Sequence, residues 1–146
     1  MSEDPDFKYI IRIANSDVSG EQRLGYALTS IRGIGSRISN AIIQKLKLDG
    51  EKLAGELTDK NVEDIENAIE NVNDFVPKWL LNRQKDYDTG KDIHPVSIDL
   101  KMLHEDDINR MKKIKSYKGV RHASGHKVRG QRTYSNGRRG LALGVS

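Results

Sequence analysis

Cysteine is absent from the chain, which excludes disulfides and thiolate metal sites. No apolar run approaches the roughly 18 residues that a membrane-spanning helix needs, and no basic leader precedes an apolar stretch. These absences point to a soluble intracellular protein with no membrane partner. A third absence is local. From Arg110 to Ser146 there is no aspartate or glutamate, yet those 37 residues carry 11 of the chain's 25 lysines and arginines. All 21 acidic residues therefore lie in residues 1–109, against 14 basic ones. The upstream part has a net charge of −7 and the downstream part +11. Like charges crowded on one segment repel, and a polyanion is the partner that removes the repulsion.

Hydrophobic spacing organises the upstream part. Residues 1–8 are polar, and Tyr9–Ile13 is a short apolar patch that fits a strand or a segment packed on a helix. Leu24, Ala27, Leu28 and Ile31 fall at i, i+3, i+4 and i+7, the stripe of an amphipathic helix. Gly33-Ile34-Gly35 stops it. A second helix is expected from Ser36, read as its N-cap, with Ile38, Ala41, Ile42 and Leu46 on one face. After a connector at residues 50–55, Thr58 caps a third helix whose buried stripe is Val62, Ile65, Ile69 and Val72. Pro77 closes that region. Residues 77–98 suit a short β-hairpin insert around Asp88-Thr89-Gly90, although the alternation is weak. A long connecting helix over residues 99–117 turns Leu103, Ile108, Met111 and Ile114 inward. Its acids precede its bases, as the helix dipole favours. Past Gly119 no periodicity remains, and residues 118–146 read as an extended basic tail. The fold class is mainly α, with a helix-two-turn-helix body in residues 1–117.

Two segments suit contact with nucleic acid. In Gly33-Ile34-Gly35, two glycines let the backbone take positive φ and approach another surface, while the isoleucine anchors the turn. The amides at Ser36 and Arg37 then suit a phosphate. A plain glycine helix stop between packed helices is the alternative. In the tail, Lys118, Arg121, Lys127, Arg129 and Arg132 interleave with glycines, so guanidinium forks reach phosphates while the main chain threads closely. His122, Gln131 and Thr133 add polar groups, and Asn136, Arg138 and Arg139 extend the set. The alternative there is a solvated basic tail. Asp86, Asp88 and Asp92 fit a calcium loop poorly, because Gly90 and Lys91 hold the positions that want a ligand and then glycine. His122 and His126 are four apart, but Gly125 argues against a helical metal pair, so phosphate or base contact is the better reading. With no nucleophile motif and no P-loop, the chain reads as a non-enzyme without cofactor or metal.

Those residues carry a resemblance. Lys118-Gly119-Val120-Arg121-His122 followed by Val128-Arg129-Gly130-Gln131-Arg132-Thr133 is similar to the tail of the small-subunit ribosomal protein S-thirteen family, called S-eighteen in eukaryotes. Ala27-Leu28-Thr29-Ser30-Ile31-Arg32-Gly33-Ile34-Gly35 resembles the family's helix-turn-helix segment. The stretch from Pro77 to Asp92 resembles an insert of archaeal and eukaryotic members, and the modest length fits the archaeal branch. The resemblance implies a place in the head of the small ribosomal subunit, in the cytoplasm. It implies binding to small-subunit rRNA and contact with ribosomal protein S-nineteen. It also implies bridges to large-subunit rRNA and protein L-five, and a tail that approaches P-site tRNA. Family tails often run on in lysine and arginine, whereas here Arg138-Arg139 is followed by an apolar end, Leu141–Val145.

Overall fold

The structure, a computed structural model, describes residues 7–134. The chain divides into two compact units, Met1–Met102 and Leu103–Ser146. The first begins with strands β1 (Ile10–Ile13) and β2 (Ser16–Ser19), paired antiparallel with Ile11 opposite Val18 and Ile13 opposite Ser16. Ala14 and Asn15 join them at φ 47° and 58°, the paired left-handed geometry of a two-residue hairpin turn. Alternation sends Ile11, Ile13 and Val18 into the core and leaves Ile10 and Arg12 outside. Within the patch at Tyr9–Ile13, residues Ile10–Ile13 are thus a strand, and its partner is a segment that sequence reading had not assigned.

Helix α1 (Leu24–Ala27) runs on as a 3-10 helix, Leu28–Ser30. The expected stripe is fully buried: Leu24, Ala27, Leu28 and Ile31 are each 1% exposed or less. The helical stretch stays short because the Thr29 and Ser30 hydroxyls each donate to a carbonyl three residues back, at 2.6 Å, and such local bonds compete with the helical ladder. Helix α2 (Ser36–Leu46) buries Ile38 and Ile42. Its Ser39 is also buried and satisfied, donating from Oγ to the Gly25 carbonyl at 2.7 Å. Helix α3 (Asp59–Glu70) is capped as expected, Thr58 Oγ1 accepting from the Asn61 amide, and it buries Ile65 and Ile69. Val72 follows on α4 (Val72–Phe75). These side chains form one core with Ile11, Ile13 and Val18. Each fully buried isoleucine or leucine contributes about 1.5–3 kcal/mol relative to exposure.

Past Pro77 the expected hairpin is not built from strands. Its two arms meet at one antiparallel bridge, Arg83 with Ile93, bonded both ways at 3.3 and 2.9 Å. Side chains shape the rest. The buried Asp86 carboxylate accepts from Arg83 Nε at 2.5 Å and from the amide and hydroxyl of Thr89 at 3.2 and 2.9 Å. The Arg83 and Thr89 bonds hold Asp86 down at about 2. A loop organised by such polar contacts has no need of the alternating pattern that a strand pair shows.

Helix α5 (Ser97–Lys113) starts two residues before the expected Asp99, and the boundary between the units falls within it. No α5 residue is buried; Leu103, Ile108 and Met111 are partly exposed, and Ile114, just past its end, is exposed. That corrects the expectation of an inward stripe. Charge on this helix is sorted along the axis, with Glu105–Asp107 before Arg110–Lys113, rather than around it, so the apolar face is weak. In the second unit the chain then turns through Lys115 (φ 53°) into α6 (Tyr117–Ala123).

Candidate nucleic-acid interface

The turn before α2 is set by the end of the insert. Gly33 has φ 101°, a conformation that favours glycine. A Cβ there would lie 3.0 Å from the Pro95 carbonyl oxygen and 3.3 Å from Leu100 Cδ2. His94 Nε2 sits 3.1 Å from the Gly33 carbonyl, and its Nδ1 accepts from the Asn82 amide at 3.2 Å. Ile34 is buried, anchoring the turn as expected. Gly35 differs from its partner. Its φ of −98° suits any residue, and a Cβ would meet nothing within 4 Å.

Gly35, not Ser36, is the N-cap of α2, and no side chain closes the helix start. The reason is geometric: Gly35 has extended backbone and its carbonyl accepts the Ser39 amide at 2.9 Å, so Ser36 comes one residue too late. Gly35, Ser36 and Arg37 are all exposed. First-turn amides without a side-chain acceptor at an exposed helix start suit an anion.

The basic segment begins with a helix that sequence reading did not anticipate. Ser116 caps α6, its Oγ accepting from the Gly119 amide at 3.2 Å and donating to the Met111 carbonyl at 3.0 Å. Gly119 is buried against the end of α5; a Cβ would fall 2.1 Å from the Met111 oxygen. No periodicity announced this helix because seven residues span only two turns. Beyond α6, Gly125 (φ 67°) reverses the chain. The His126 amide donates to the Arg121 carbonyl at 3.0 Å, and Arg121 Nε donates to the Lys127 carbonyl at 3.0 Å.

The reversal shapes an open cavity of about 650 Å³ on the surface of the second unit, lined mostly by exposed side chains. Five expected residues meet there: Lys118, His122, Lys127, Arg129 and Gln131. Arg121 braces it from behind, while Arg132 and Thr133 are exposed beyond it. Gly33, Gly35, Ser36 and Arg37 belong to the other unit. Asn136, Arg138 and Arg139 lie outside the described residues. Sequence reading left His104 of α5 out of the site, since only the fold brings it beside His122 and His126 along the cavity wall.

Among the described residues no group of three or more histidine, cysteine, aspartate or glutamate side chains is placed to hold a metal ion, and none of their helices is long and apolar enough to cross a membrane. Both Asp86 oxygens already take part in organising their own turn. Fold and site together define a small, mainly helical protein with an acidic body and a carboxylate-free basic segment. Comparison with known proteins gives the family: the profile described as "Ribosomal protein S13/S18" matches residues 12–139, and the chain belongs to that family. It is a family of structural ribosomal proteins, not of enzymes. Similar proteins include "Small ribosomal subunit protein uS13" of Thermoplasma volcanium, 49% identical over 98% of this chain and 84% of the relative. The protein of that name from Picrophilus torridus is 51% identical over 96% and 89%, and that from Methanopyrus kandleri 48% over 97% and 96%.

Proposed function

We propose that the chain is a structural constituent of the small ribosomal subunit, seated in its head and cytoplasmic with the ribosome. Small-subunit rRNA is held by the α2 start at Gly35, Ser36 and Arg37 and by the basic segment through Lys118, Arg121, His122, Lys127, Arg129, Gln131, Arg132 and Thr133. The body faces protein S-nineteen and bridges to large-subunit rRNA and protein L-five. The far end of the segment, with Asn136, Arg138 and Arg139, approaches P-site tRNA. Carrying this reading is the convergence of Lys118, Lys127 and Arg129 on one cavity in a stretch with no carboxylate, which is how a chain presents charge to phosphates. Family membership supports the ribosomal setting.

Sedimentation of native extract on a sucrose gradient at moderate salt tests it. The expected result is co-migration with small subunits and whole ribosomes and absence from the free pool. A free or DNA-associated pool with no ribosomal peak overturns the reading in favour of a DNA-binding module.

A further inference from the structure

Resting on the rRNA reading, we infer that the cavity between α5, α6 and residues 125–131 takes one unstacked nucleotide of single-stranded RNA, with its base among imidazoles and its phosphate on the flanking cations. A phosphate alone would need only the cations. This open cavity, at about 650 Å³, has room for a nucleotide to lie against its walls with one face toward solvent. Its walls are chosen for more than charge. His104, His122 and His126 approach from α5, α6 and the turn after it, and flat imidazole faces are surfaces on which an extruded base stacks. Val128 and Gly125 add a small apolar lining. Gln131 brings an amide, which both donates and accepts and so can read a base edge. Lys118, Lys127 and Arg129 stand on the same rim with no carboxylate among the lining residues.

The frame is preorganised. Ser116 fixes the start of α6, Gly119 lets α6 meet the end of α5 at backbone distance, and the Arg121 bond to the Lys127 carbonyl holds the returning segment in place. These contacts set the backbone of the walls before any RNA arrives, which lowers the cost of binding. A metal site is the weaker use of the same histidines, because they do not converge as ligands.

The test uses small subunits reconstituted with the full chain as wild type, His122→Ala, Gln131→Ala and His122→Phe, and maps small-subunit rRNA by base-specific chemical reactivity and by backbone cleavage. The expected result is one unpaired base, unreactive with wild type, that becomes about tenfold or more reactive with His122→Ala and Gln131→Ala. The backbone footprint persists at the same positions, weakened far less than the base protection, and His122→Phe, which keeps a stacking ring, keeps the base protected. Backbone protection with no base affected by either alanine variant overturns the pocket and leaves rRNA binding standing. Absence of any wild-type footprint overturns the rRNA reading and the pocket with it.

Discussion

His94 fastens the insert to the Gly33 turn: its Nε2 lies 3.1 Å from the Gly33 carbonyl oxygen while its Nδ1 accepts from the Asn82 amide. Both bonds together require a neutral ring with its proton on Nε2. Burial pushes the ring below its ordinary value of 6.5, only partly opposed by the bond to Gly33. Since the folded value is depressed, the unfolded chain takes up the proton first as pH falls. The stabilisation from His94 is therefore complete above about pH 6.5 and is lost progressively below it, down to the folded value. Denaturant titrations between pH 8 and 5 should show this loss in the wild type and a flatter profile in His94→Gln. His94→Ala should cost about 1–3 kcal/mol at pH 7, because the Asn82 amide and the Gly33 carbonyl lose their partner. An unchanged pH profile in the glutamine variant would rule out the linkage.

The two turn glycines separate structure from binding. Gly33→Ala forces a Cβ into positive φ and against Pro95, and should destabilise the body by about 1–3 kcal/mol. Gly35→Ala meets no steric obstacle and should cost only what replacing a glycine N-cap costs, no more than about 1 kcal/mol. If the α2 amides contact phosphate, the added methyl stands in the way, and rRNA affinity drops by more than the small loss of stability accounts for. Equal thermal shifts for the two variants would refute this division of labour.

How far the sequence reached shows in these same residues. Buried stripes on α1, α2 and α3 were legible because helical period and burial coincide at Leu24, Leu28, Ile42, Ile65 and Ile69. The N-terminal hairpin was not read from the sequence: Asn15 suits a left-handed turn, but the turn also places an alanine at positive φ, which no local rule anticipates. Seven-residue α6 was hidden for lack of periods, and its cap at Ser116 was the one local signal. The insert misled because its order comes from Asp86, Arg83 and Thr89 rather than from alternating hydrophobics. For the site, Lys118, His122, Lys127, Arg129 and Gln131 were found from composition, whereas His104 reaches them only through the fold.

Position within the basic segment should matter more than charge alone. Alanine at Arg121, Arg129 or Arg132 should weaken rRNA binding more than alanine at Lys45 or Lys52, and Arg121 most, since it also braces the cavity through Lys127. If the segment neutralises about 6–10 phosphates, affinity should fall by roughly 10³–10⁵ between 50 and 200 mM salt. Filter binding of small-subunit rRNA across that range decides the matter. A shallow slope, or equal losses for the arginine and lysine variants, would place the main contacts elsewhere.

Folding of the first unit should not depend on the basic segment. Every residue of the buried core lies between Ile11 and Leu81, so deletion of residues 118–146 removes none of it. The truncated chain should unfold cooperatively in the same calorimetric transition as the full chain, yet lose rRNA affinity and most of the salt slope. Gly119→Ala offers the subtler version. Its Cβ would collide with the Met111 carbonyl, so α6 must move away from the end of α5 while the core keeps every contact. Near-wild-type calorimetry with rRNA binding weakened about tenfold or more, the effect of roughly 1.4 kcal/mol, is the expected pair of results. Full rRNA affinity in Gly119→Ala would mean that binding needs only the charge of the segment and not the α6 geometry.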